Sequence, residues 1–146
     1  MSQHVKDNHL ASDLRIVIMR LVKKIRNQGA TSGMLSQTER STIVSLDQHK
    51  QLLPSELAAM EKITTQSMSQ VLNHLDELGF ITRTASETDK RKTIISLSQA
   101  GQDILIKVRN DRDEWLNKAL AQTCNAAEME ALRQAIALLT KLVDFD

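Results

Sequence analysis

Apolar residues recur at helical spacing over most of this chain and alternate in only two short places. Leu10, Leu14, Val17, Ile18, Leu21 and Ile25 lie three and four apart, predicting a first helix over about 8–27 that stops before the segment from Asn27 to Gly33. Ser36-Gln-Thr-Glu39 then reads as a capping box and opens a second helix through Ile43, Val44 and Leu46 to about His49. Pro54 suits the first turn of a short third helix through Met60, because its missing N–H would have no partner there. Thr64 caps a fourth helix, with Ile63 and Met68 placed as a hydrophobic staple and Gly79 as its left-handed stop.

The alternating stretches are 80–84 and 93–97, both rich in β-branched residues, and the polar run from Ala85 to Lys92 between them predicts a hairpin. Ser98 then caps a long fifth helix over about 99–122, carrying Ile104, Leu105, Val108, Trp115 and Leu116, whose start Gly101 weakens slightly. Asn125-Ala-Ala-Glu128 opens a sixth over about 125–144, with Met129, Leu132, Ile136, Leu139 and Val143 on one face. The expected class is mainly α with one two-stranded hairpin. The apolar stripes of the first and last two helices exceed what one small domain needs to cover, which marks an interface.

Composition narrows the function. Four glycines and one proline in 146 residues leave little room for a many-stranded architecture, and aromatics are only 2% of the chain, as suits helix-on-helix packing. A lone Cys124 allows no intrachain disulfide, and His4, His9, His49 and His74 are too dispersed for a metal site, so neither a metal nor another cofactor is expected. Neither a signal peptide nor a membrane span is visible, and the cytoplasm is the expected location. No nucleophile elbow, phosphate-binding loop or dinucleotide turn surrounds the Ser, His and Asp residues, so an enzyme is not expected.

Net charge is only +1, so any affinity for nucleic acid must come from local placement. Arg83, Lys90, Arg91 and Lys92 gather on the hairpin, with Asp89 two residues before Arg91 and able to orient its guanidinium. On the fourth helix Met68, Val71, Leu72 and Leu75 share one side, while Gln66, Ser69, Gln70 and Asn73 face the other. Amide side chains pair with adenine edges in the major groove, and an arginine fits the negative potential of a narrow minor groove. Taken alone, the polar face of the fourth helix fits a solvated surface better than a binding one, and the hairpin charges fit either. Asp76 and Glu77 oppose DNA locally, and they leave room for a module that holds a protein partner instead.

From Leu35 to Gly101 the chain resembles the MarR family of bacterial regulators. The resemblance rests on LSQTE (35–39), LPSELA (53–58), TTQSMSQVLNHLDELGFITR (64–83) and SETDKRKTIISLSQAG (86–101), whose aspartate, arginine, Leu97, hydroxyl residue and Gly101 fall at family spacing. It implies a winged helix-turn-helix over about 35–98 within one domain of residues 1–146. It further implies a homodimer joined through the first and last two helices, reading a pseudo-palindromic double-stranded operator as a repressor. The DNA-facing set would be Thr65, Gln66, Ser67, Ser69, Gln70 and Asn73 on the fourth helix, with Arg83, Asp89, Lys90, Arg91 and Lys92 on the wing. A small-molecule effector, such as an amphipathic aromatic acid or a toxic compound, would release the operator. Trp115 suits either an effector pocket or the core.

The chain departs from the family in two places. Gln70, Asn73 and His74 stand where many members carry a basic residue, so operator contacts are expected to be weaker or more salt-tolerant. Leu53 replaces a hydroxyl residue before the third helix, at a cost of about 1 kcal/mol in lost capping. Redox-sensing relatives carry their reactive cysteine near the first helix, whereas Cys124 lies between the fifth and sixth, where a thiol-based switch competes with a plain packing role.

Overall fold

A computed structural model of the chain describes residues 2–29, 31 and 33–146, with side chains from residue 9 onward. His4's side chain and two residues of the expected 27–33 connection, Ala30 and Ser32, therefore lie outside the described residues. The elements run α1 (Ser2–Arg26), α2 (Gln37–His49), α3 (Pro54–Glu61), α4 (Thr65–Glu77), β1 (Ile81–Ala85), β2 (Thr93–Leu97), α5 (Gln99–Thr123) and α6 (Ala126–Val143). This is the mainly helical, single-hairpin order read from the apolar periodicity. α1 alone begins well before its expected start, because 2–9 contain neither glycine nor proline and nothing there ends a helix.

The chain divides into two compact units, residues 26–111 and residues 1–25 with 112–146. The first holds all of the buried hydrophobic side chains among the described residues, from Leu35 to Leu105. Ile43 and Leu46 of α2, Leu57 of α3, Met68, Leu72 and Leu75 of α4, and Ile95 of β2 form its centre, with Ile63 packed against them. The hydrophobic side of α4 is thus consumed by the core and fixes which residues face outward.

The capping chemistry follows the sequence closely. Ser36 Oγ accepts from Glu39 N at 3.1 Å while Glu39 Oε1 accepts from Ser36 N at 2.9 Å. Thr64 Oγ1 accepts from Ser67 N at 3.0 Å, and Asn125 Oδ1 from Glu128 N at 2.8 Å. Leu53 has no side-chain cap to offer, as expected, yet Glu56 Oε1 reaches back to accept its amide at 2.9 Å. Gly79, at φ 78°, closes α4: its own N–H donates to Asp76 O and that of Phe80 to Leu75 O.

β1 and β2 pair antiparallel, with Ile81 opposite Leu97, Arg83 opposite Ile95 and Ala85 opposite Thr93. Just before α3, Leu52 joins the far edge of β2 by two backbone hydrogen bonds, donating to Ile95 O at 3.0 Å and accepting from Ile95 N at 2.8 Å. Gly101 requires a correction. Read as a weak point of α5, it is instead a steric requirement, since a Cβ there would stand 2.0 Å from the Phe80 carbonyl oxygen. Ser98 fixes the same corner by accepting from Gly101 N and donating to Gly79 O.

The second unit contains most of α1, the end of α5 and all of α6, and none of its described apolar side chains is buried. Leu10, Val17 and Met19 of α1 are exposed, as are Leu132, Ile136, Leu138, Leu139 and Leu142 of α6. Val143 reaches 81% exposure, which is extreme for an aliphatic side chain on a helix. Trp115 and Cys124 are half-buried in this unit.

Candidate nucleic-acid interface

Packing sets the face of α4. With Met68, Leu72 and Leu75 buried, Thr65, Gln66, Ser67, Ser69, Gln70 and Asn73 are all exposed, as the helical wheel requires. Within this set the hydroxyl of Ser67 is engaged locally, its Oγ accepting from Thr64 Oγ1 at 2.9 Å. Gln66, Ser69 and Gln70 form an uninterrupted polar strip along the helix.

At the tip of the hairpin, Ser86 N donates to Lys92 O and Lys92 N to Asp89 O, so the loop is closed by backbone bonds. Ser86 is buried, and its hydroxyl accepts from Asp89 N at 3.3 Å. Asp89 Oδ1 in turn accepts from Arg91 N at 3.1 Å and from Arg91 Nε at 3.2 Å, the first bond forming an Asx turn. Arg91 is 91% exposed all the same, so the aspartate orients its guanidinium without sequestering it. Sequence pattern identified the Asp89–Arg91 pair; it did not identify Ser86, whose only sequence signal is a hydroxyl at the strand end. Lys90 and Lys92 flank the arginine and are exposed.

Arg83, expected in the DNA-facing set, has partners on its own chain. Its Nη2 donates to Asn73 Oδ1 at 2.8 Å, and its Nε lies 3.4 Å from Asp76 Oδ2, so β1 is latched to the outer face of α4. The same contact half-neutralises the acidic end of α4 that had counted against DNA. Neither partner was legible in sequence, because the pairing depends on where β1 sits beside the helix.

His74 stands on the exposed side of α4. Its ring bonds through Nδ1 to Oε2 of the buried Glu39, joining α4 to the N-terminus of α2. Burial alone would raise the Glu39 pKa. Hydrogen bonds from the Ser36 amide, the His74 ring and the Ser36 hydroxyl outweigh it and hold the carboxyl below its ordinary value. The group is therefore an ionised acceptor, and the imidazole Nδ1 must carry the hydrogen between them.

No cluster of three His, Cys, Asp or Glu able to hold a metal occurs among the described residues, and no helix of the structure is long and apolar enough to cross a membrane. Cys124 is a free thiol whose Sγ lies 3.6 Å from Thr123 Oγ1.

Comparison with known proteins agrees with this geometry. The sequence model of the MarR family matches residues 35–93. HTH-type transcriptional regulators of Mycobacterium bovis and Mycobacterium tuberculosis are each 34% identical over 138 residues, covering 94% of this chain and 95% of theirs. The crystal structure of a transcriptional regulator from Pseudomonas aeruginosa, 28% identical, superposes with a TM-score of 0.77 over 97% of both chains. A mutant of Staphylococcus aureus MepR bound to an oligodeoxyribonucleotide shares the fold at 21% identity, with a TM-score of 0.71 over 92% of this chain and 96% of that one.

Proposed function

Since the chain belongs to the MarR family of transcriptional regulators, we propose that it is a cytoplasmic homodimeric repressor that occupies a pseudo-palindromic DNA operator until a small molecule releases it. The observation that carries this reading is Arg91: almost fully exposed, yet held in a defined orientation by two bonds to Asp89. A solvated charge needs no such support, whereas a guanidinium entering a narrow minor groove benefits from being oriented beforehand. Lys90 and Lys92 contact the flanking phosphates. Thr65, Gln66, Ser67, Ser69, Gln70 and Asn73 face the major groove, and the MepR complex with an oligodeoxyribonucleotide supports this use of the fold.

The uncovered helices of the second unit supply the dimer. Fully burying an exposed Leu, Ile or Val side chain stabilises by about 1.5–3 kcal/mol, so covering the Leu132, Ile136, Leu139 and Val143 stripe with a second copy offsets several kcal/mol of the cost of association. A twofold dimer would set its recognition helices about 34 Å apart, one turn of B-DNA. An effector that prefers a different spacing would lower operator affinity by the difference in its binding free energy to the two arrangements; an amphipathic aromatic acid is the chemistry the family resemblance suggests. A module holding a protein partner is the alternative reading; of the two acids behind it, Asp76 is paired with Arg83.

Titrating operator binding against salt tests the proposal. Log affinity should fall against log salt by about 0.9 for each phosphate neutralised. Affinity indifferent to salt, or no duplex retained from a random pool, would overturn it.

A further inference from the structure

The latch between β1 and α4 bears on which base this helix reads. Asn73 lies on the exposed face of α4, Asp76 follows it by three residues on the same surface, and Arg83 reaches both. Arg83 is held by the hairpin register opposite Ile95, which is buried, so the guanidinium is presented from a fixed backbone. A guanidinium has N–H donors and no acceptor, so the Asn73 atom that meets it at 2.8 Å must be the carbonyl oxygen. Chemistry therefore fixes the amide orientation, and the Nδ2 group with its two donors is left for an incoming partner.

That orientation matters because an asparagine reads adenine by using both ends of the amide, accepting from N6 while donating to N7. Arg83 takes one lone pair of Oδ1 and sets a cationic donor beside the other, which disfavours an approaching amine there, so Asn73 presents chiefly its Nδ2 donors. Guanine, which presents acceptors at both N7 and O6, matches such a group, whereas the N6 amine of adenine would meet another donor. Asp76 strengthens the arrangement by giving the Arg83 charge a partner on its own subunit, so that a phosphate has less pull on it.

Resting on the reading of α4 as a major-groove helix, we propose that Arg83 is a specificity-determining positioning residue, biasing Asn73 toward its donor end so that it selects guanine over adenine at its base pair.

Selection from random duplex DNA with the full-length protein tests this when run in parallel on the wild type, Asn73→Ala, Arg83→Met and Asp76→Asn. The position that loses its preference in Asn73→Ala is the one Asn73 reads. There the wild type should favour G·C over A·T at least about fivefold. Arg83→Met should move the preference to A·T, and Asp76→Asn, which loosens the arginine without removing it, should weaken it in the same direction and remains informative if Arg83→Met folds poorly. A wild-type preference already for A·T, the same G·C preference in both latch variants, or Asn73→Ala altering no position would each overturn the assignment while leaving DNA binding intact. Failure of the wild type to enrich any sequence would instead overturn the operator reading on which the assignment rests.

Discussion

His74 on α4 and Glu39 at the first turn of α2 share a hydrogen bond across 35 residues of sequence, while the same carboxylate accepts the Ser36 amide through its other oxygen. One buried acid thus caps one helix and ties down the outer face of another.

Glu39 makes stability pH-dependent in a defined direction. Its pKa in the folded protein lies below the ordinary value of 4.5, so its contribution is complete above that value and is lost as pH falls through the lower, folded one. Urea unfolding of wild type and Glu39→Gln between pH 7 and pH 3 should show a steeper acid loss in the wild type. Parallel pH profiles would refute the linkage.

Helix propensity and packing predict opposite signs for Gly101→Ala. Propensity alone favours alanine by up to about 1 kcal/mol, but the new methyl group would collide with the Phe80 carbonyl oxygen, and overpacking of this kind costs about 1–3 kcal/mol. Thermal unfolding should therefore show a lower Tm for the variant. An unchanged or higher Tm would mean that the turn between α4 and β1 yields easily.

On the wing, Arg91→Ala should weaken operator binding at least about tenfold and reduce the magnitude of the salt slope by about 1. Asp89→Ala keeps the arginine's charge, removes the carboxylate and frees the guanidinium. The exposed pair contributes up to about 1 kcal/mol, so affinity should fall about two- to fivefold with the salt slope unchanged. Fluorescence anisotropy over a range of salt separates the two effects, and equal losses of slope would remove the orienting role of the aspartate.

Association should depend on α6. Replacing Ile136 and Leu139 together with Asp should give a monomer by sedimentation with the helical content of the wild type, because neither side chain belongs to the buried core. Losing the second half-site should cost at least about a hundredfold in operator affinity. A double variant that stays dimeric would place the interface elsewhere.

Helices, caps and the hairpin tip were legible in sequence because each rests on residues within four positions of one another: Ser36 with Glu39, Thr64 with Ser67, Asn125 with Glu128, Asp89 with Arg91. What escaped depends on distant segments meeting. The His74 ring finds Glu39 only once α2 and α4 share a core, and Arg83 finds Asn73 only once β1 is turned back by Gly79. For the same reason Gly101 looked like a flaw: its value lies in the backbone of Phe80, 21 positions earlier. The candidate surface could be outlined from periodicity, but its internal wiring, which decides what each polar group can still offer, could not.

The backbone bonds from Leu52 to Ile95 anchor β2 on the side away from β1, so the hairpin is supported along both flanks of its inner strand. Main-chain atoms make that anchorage, and exchanging side chains at 87–92 leaves it untouched. The base of the wing thus stays in place when the tip acquires new chemistry through mutation, making the tip the place where a descendant of this protein could change its target at least risk to the core.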